Sequence, residues 1–206
     1  MTNDDGNRSI IDRNRLPPLF PTHRHSPAFW EQLGRTIATY GFLEEVLGKA
    51  IFAFTATRRY TADEIDAAYQ AWLPQLERAL TDPLKNLAES YGKVVRGNPA
   101  STIENLDQLV EDIKKATVIR NVLCHCSWPI LNSHGASVPR FINRQKQLFD
   151  SEIDIAYLEQ VQAQVAELAC SVIDTVTHMG WQFPGGGGPG KSIIARREPG
   201  SRRLNE

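Results

Sequence analysis

The stretch from about Thr102 to Ser127 reads as one helix that changes character along its length, and this change constrains the fold more than any other feature. With Ile113 as the reference direction and about 100° of turn per residue, Leu106, Leu109, Val110, Ala116 and Thr117 share its side of the helix. Asp107, Gln108, Glu111, Asp112, Lys114 and Lys115 form a wet face in the early turns. In the last two turns Val118, Ile119, Val122 and Leu123 cover the remaining sides, so that end is apolar almost all round. A helix of that kind has to be covered on every side. A four-helix bundle covers one side, which leaves a second copy of the chain, related by two-fold symmetry, as the expected cover for the rest.

The other segments fit an all-α chain. Ser26 as N-cap with Pro27 just inside starts a helix whose apolar stripe is Trp30, Leu33, Ile37, Tyr40, Leu47, Ile51 and Phe54. The one gap in that stripe is filled by Glu44. A second helical region runs from about Thr61 to Val95, with breaks expected near Pro74 and Pro83. Pro129 stops the helix that begins near Thr102. Residues 128–149 alternate weakly around "NSHGAS" and fit a short hairpin or a long loop. A last helix starts near Asp150 or Ser151 and ends near Met179, with the stripe Leu158, Val161, Val165, Leu168, Val172 and Val176. Long amphipathic segments joined by short turns indicate a bundle of four to five helices over residues 26–180. Residues 1–25 read as a flexible arm and 181–206 as a Gly/Pro-rich basic disordered tail.

Global charge gives no pull toward nucleic acid or membrane, because the formal net charge is -1. Any nucleic-acid contact has to be local. No apolar run approaches the roughly 20 residues of a membrane span, and the polar start "MTNDDGNRSIIDRNR" is not a secretory signal. Three cysteines, an odd number, are read as reduced thiols in a cytoplasmic protein.

Polar residues inside the apolar end of the 102–127 helix carry the functional signal. Arg120 falls in the middle of the Ile113 stripe, and Asn121 and His125, four apart, flank it. A core arginine needs a counter-charge, and Glu44 is the acid of the first helix that lies within its apolar stripe. The expectation is a Glu44–Arg120 pair at the bundle's edge. His125 lies in the final turn, where the helix dipole favours a cation and proton-transfer chemistry is within reach. Its bland reading is a helix-end residue bonding a last carbonyl.

"RNVLCH", residues 120–125, resembles the R-x4–6-H signature of the HEPN (higher eukaryote and prokaryote nucleotide-binding) ribonucleases, in its R-N-x-x-x-H form. "YGFLEEVLGKAI" is similar to the first helix of such domains, which often contributes an acid. In element order the likeness covers about residues 26–180. It implies a four- to five-helix bundle that dimerises, with both motifs lining one cleft, and metal-independent cleavage of RNA with no cofactor. The resemblance makes Arg120 and His125 catalytic, Asn121 an orienting residue and Glu44 the site's acid, with Glu45 as its substitute. It implies an RNA substrate, a role as toxin or phage-defence effector, and a possible antitoxin protein as partner. Some toxins of the family carry a tyrosine two residues after the histidine as a modification site; here that position is Ser127. The competing class is a non-catalytic helical dimer that binds a partner protein or a nucleotide, and a third is a bundle in which Arg120 and His125 are purely structural.

Other motifs are weaker. Gly185, Gly190, Lys191 and Ser192 fit the P-loop pattern, but a P-loop needs a strand before it and a helix after it. A flexible linker to the basic Arg196, Arg197, Arg202 and Arg203 is the expectation there. Cys124 and Cys126 point about 200° apart on a helix and cannot share a metal ion. Cys126 and Cys170 read as buried small apolar residues, and His23 and His25 as part of a surface segment. Trp128 is either a base-stacking residue or an anchor of the helix end.

Overall fold

The computed structural model describes residues 12–58 and 61–193, without the side chains at 75, 76 and 80. Residues 1–11 of the expected arm and 194–206 of the expected tail, including Arg196, Arg197, Arg202 and Arg203, lie outside the described residues. Five α-helices are found among those described: α1 (Pro27–Ala56), α2 (Ile65–Thr81), α3 (Leu84–Arg96), α4 (Leu106–His125) and α5 (Ile155–His178). None of the described helices is long and apolar enough to cross a membrane.

Local chemistry sets the helix ends. Ser26 Oγ accepts the Phe29 N–H at 3.2 Å with Pro27 in the first turn. Asp154 caps α5 by accepting the Tyr157 N–H at 2.7 Å. α4 starts four residues later than its sequence pattern suggests, because Asn105 turns into the left-handed region at φ 56° and begins the helix from there. Pro83 separates α2 from α3, as its rigid ring dictates. Pro74, by contrast, sits inside α2 without breaking it. Pro74 deprives the Gln70 carbonyl of its donor, but Gln70 is on the exposed outer side of the bundle, where water can bond that carbonyl.

α1 is the central rod and packs against all four other helices. Its buried sector is therefore broader than one stripe: Phe29, Thr36, Leu43, Val46, Ala50 and Ala53 are buried with the expected Leu33, Tyr40, Leu47, Ile51 and Phe54. Trp30 and Ile37 sit at the margin of the core, half-buried. Two hydroxyls in the core are paired with each other, Tyr91 Oη and Thr175 Oγ1 at 2.8 Å. α2 is the outer helix, and Ile65, Tyr69 and Leu73 remain exposed along it.

Between α4 and α5 the chain forms a bridged excursion with no named strand. Single antiparallel bridges pair Ser127 with Arg140, Ser137 with Ile153, and Ile142 with Leu148. Asn132 and Asn143 build the two turns: each side-chain oxygen accepts two backbone N–H groups. Ile153 and Ser137, at the base, are buried.

The start of the expected tail is folded back onto the bundle. Trp181 meets Phe54 with ring centroids 5.4 Å apart, and the Gln182 N–H donates to the Lys191 carbonyl at 2.9 Å. The Lys191 N–H in turn donates to the Gly180 carbonyl at 2.8 Å. A flexible linker is thus not the state of residues 181–193. Residues 185–192 close a turn in which Lys191 bridges Trp181, without the strand that a P-loop requires before its glycines.

Candidate active site

The last two turns of α4 emerge from the bundle, and the direction of burial rotates as they do. Up to Thr117 the buried residues (Leu106, Val110, Ile113, Thr117) share one side. In the final turns the buried residues are Val122, about 180° from Ile113, and Leu123, about 80° from it. Both are buried within the chain, as members of the one core cluster that also takes in Ile153 and carries Phe141 and Phe149 at its margin. Val122 and Leu123 therefore need no second copy as cover, which corrects the sequence-based expectation of an apolar surface all round. Val118 is left 57% exposed.

The sector vacated by this rotation holds the polar residues. Arg120 and Asn121 are half-buried, and Cys124 and His125 are exposed. Arg120 is therefore not stranded in the core as its stripe position suggests: burial has turned to the side of Val122 and Leu123, and the Arg120 side chain is 30% exposed. Glu44 reaches it from α1. Arg120 Nη2 lies 3.5 Å from Glu44 Oε1, an ion pair with a direct charge contact but no hydrogen bond, since that oxygen is buried and has no hydrogen-bond partner. Arg120 Nη1 also donates to Asn121 Oδ1 at 3.5 Å. Glu45 is engaged elsewhere, with Lys49 Nζ at 2.5 Å from its Oε1. Of the two neighbouring acids, Glu44 is the one that meets the arginine.

Two structures hold this end of α4 in place. Tyr40 Oη donates to the Ala116 carbonyl at 3.0 Å, one turn before Arg120. Burial, reinforced by nearby Tyr157 and Cys124, pushes the Tyr40 phenol well above its ordinary range, so it stays a neutral donor. The second is an aromatic cluster. Trp128, three residues beyond His125, packs on Phe29 with centroids 5.0 Å apart, with His25 at 6.0 Å and Trp30 at 6.5 Å. Trp128 is thus the anchor of the helix end. His25 is buried in this cluster, 4.5 Å from Phe29, with neither ring nitrogen hydrogen-bonded, and burial lowers its pKa. It does not belong to a surface segment. His134, near the motif only in sequence, lies exposed in the Asn132 turn.

The cysteines also differ from expectation. Cys170 is exposed, and Cys126 is half-buried with its thiol pushed up to about 11, mainly by desolvation. Among the described residues no group of three or more His, Cys, Asp or Glu is placed to hold a metal ion.

The motif positions thus converge from two helices. Arg120 meets both Glu44 and Asn121, and His125, five residues on and about 140° round the helix from Arg120, opens to solvent. Sequence reasoning missed Tyr40, whose place in an apolar stripe hid its hydroxyl, and His25, whose neighbours Phe29 and Trp30 were the available signal. Comparison with protein-family models, curated proteins and solved structures gave no significant match to this chain.

Proposed function

We propose that this chain is a metal-independent endoribonuclease of the HEPN type, acting in the cytoplasm as a toxin or phage-defence effector. The observation that carries this reading is the guanidinium of Arg120, steadied by Glu44 and Asn121, with the exposed His125 five residues further along the same end of α4. A partly exposed arginine held at the length of a loose ion pair keeps donors of its guanidinium free for a phosphate while Glu44 stays beside it.

RNA brings its own nucleophile, so the protein has only to move protons and stabilise charge. The ribose 2′-oxygen attacks the adjacent phosphorus while His125 accepts the hydroxyl proton. Arg120 binds the non-bridging oxygens as they gain charge. The bond from phosphorus to the 5′-oxygen breaks, and that oxygen takes a proton from a second imidazolium, His125 of the other copy in a dimer. The products are a 2′,3′-cyclic phosphate and a 5′-hydroxyl. Dimerisation about a two-fold would bring two such surfaces together, and the exposed Val118 beside the polar sector suits that contact. An antitoxin protein is a further candidate partner.

The test is incubation of purified chain with RNA in excess EDTA, followed by analysis of the ends. Cleavage that persists and leaves cyclic phosphate supports the reading; cleavage abolished by EDTA, or none at all, contradicts it.

A second reading, a non-catalytic nucleotide-binding bundle, draws on one feature. A cavity of about 530 Å³ between α1, α2 and α3 is lined by Arg58, Arg78, Lys93 and Trp72. Nucleotide binding lost in Trp72→Ala, together with no cleavage of RNA, would favour it.

A further inference from the structure

The excursion beside the motif has a charge pattern that the rest of the chain lacks. From Ile113 to Phe149, 37 residues, there is no Asp or Glu, while Lys114, Lys115, Arg120, Arg140, Arg144 and Lys146 all fall there. That segment is formally +6, which leaves the remainder of a chain of net charge -1 at -7. Lys114 and Lys115 are paired with Glu111 and Asp112 at 2.7 and 2.9 Å. Among the described residues, Arg140, Arg144 and Lys146 are in no ion pair with any carboxylate, and all three are exposed. An ordinary solvated surface interleaves both signs; along these 37 residues there is none of the negative sign, and the next acids along the chain, Asp150 and Glu152, stand at the close of the excursion, with Glu152 bonded to Asn132 at 2.7 Å.

These cations are fixed next to the candidate site. Ser127 and Arg140 exchange both backbone hydrogen bonds, at 3.2 and 2.9 Å, which puts their Cα atoms about 5.5 Å apart. Ser127 is two residues past His125, so Arg140 is tethered at the end of the motif helix. Arg144 and Lys146 lie in the next turn, within about 13 Å of chain from Arg140 to Arg144. That turn is preorganised: Asn143 Oδ1 accepts the N–H groups of Gln145 and Gln147 at 3.0 and 2.9 Å, and Asn143 Nδ2 donates to Gln147 Oε1 at 2.8 Å. At its neck Ile142 and Leu148 form a bridge yet remain 62% and 72% exposed.

We propose that residues 127–149 form the substrate-guiding wall of the site, with Arg140, Arg144 and Lys146 binding successive phosphates of single-stranded RNA. The exposed Ile142 and Leu148 meet base faces, which an unpaired strand offers and a duplex hides. This inference rests on the endoribonuclease reading, and its test is separable from that reading. Long, unpaired cations on a rigid turn suit a polyanion better than a protein surface, which would supply acids of its own and leave a weaker dependence on salt.

The probe is a fluorescent single-stranded RNA carrying 2′-O-methyl groups throughout, which has no nucleophile and cannot be cut. Its affinity for the full chain is read by anisotropy across a salt series, with Arg140→Ala/Arg144→Ala/Lys146→Ala and the milder Arg144→Ala/Lys146→Ala beside wild type. Loss of three phosphate contacts lowers the slope of log K against log salt by about 2, and affinity by roughly tenfold or more. With cleavable RNA the same variants lose kcat/KM through a raised KM. Ile142→Ser/Leu148→Ser weakens single-stranded binding while the salt slope stays as in wild type. Unchanged affinity and slope in the triple variant overturn the inference, even if wild type cleaves RNA. Equal binding of duplex and single strand overturns it too, as does no RNA binding by any form, which would leave the wall to a protein partner. If the probe binds through these residues but RNA is never cut, the ribonuclease reading fails while the binding wall stands.

Discussion

Arg120 Nη2 stands 3.5 Å from Glu44 Oε1, with the two side chains 30% and 29% exposed. A pair this open contributes little to folding, about 1 kcal/mol or less after solvent screening. Glu44→Gln should therefore shift the melting temperature by at most a few degrees. Its effect on cleavage should be larger, roughly tenfold to hundredfold, as is usual for groups that orient a reacting side chain. Arg120→Lys should not restore activity, because an ammonium lacks the planar fork that meets Glu44, Asn121 and a phosphate together. Melting curves and initial cleavage rates on the same preparations check both halves.

Tyr40→Phe removes the donor to the Ala116 carbonyl while keeping the packed ring. The expected cost is about 1 kcal/mol in urea unfolding. Because the bond fixes the turn before Arg120, cleavage should fall by more than the lost stability accounts for.

The thiols give a chemical map of the open sector. At pH 8 Cys126, with its thiol pushed up to about 11, stays protonated and unreactive. Cys124 and Cys170 are exposed and should be labelled by N-ethylmaleimide, as peptide mass analysis would read. Cys124 follows Arg120 by one helical turn, so labelling should abolish RNA cleavage, and Cys124→Ser should protect against that loss.

Acid stability should depend on His25. Burial lowers its pKa in the folded chain below the ordinary 6.5. Below pH 6.5 the unfolded chain binds the proton first, so stability falls as pH drops toward the lowered value. His25→Phe, which fits the aromatic cluster and has no nitrogen to protonate, should lose less stability between pH 7 and pH 5 than wild type does. The difference between the two urea-unfolding series isolates this residue from the carboxylates.

Gly190 has φ 113°, and a Cβ there would lie 2.6 Å from the Trp181 carbonyl carbon. Backbone cannot yield as a side-chain tip does, so Gly190→Ala should undock residues 181–193 and change the Trp fluorescence of the folded chain. Its effect on α1–α5 should be small.

What the sequence made legible follows from how local each signal is. Ser26–Pro27 fixes the start of α1 and Pro83 the α2–α3 break through chemistry within a few residues. The Glu44–Arg120 contact was also readable, because a charge at a stripe position demands a partner on a facing stripe. The rotation of burial along α4 was not, since which side of Val122 and Leu123 is covered depends on tertiary packing that the helix's own periodicity does not encode. Pro74 misled because its cost depends on whether the freed Gln70 carbonyl reaches water. The acid-free stretch from Ile113 to Phe149 was in plain sight, but a net charge of -1 averaged over the chain concealed it.

The central claim is that Arg120 and His125 act together on one phosphate. It is tested most directly by the rate of RNA cleavage in excess EDTA for wild type, His125→Ala and Arg120→Ala at matched, verified folding. Wild type should cleave, and each single variant should lose at least about a hundredfold. Cleavage at wild-type rates by both variants would contradict it.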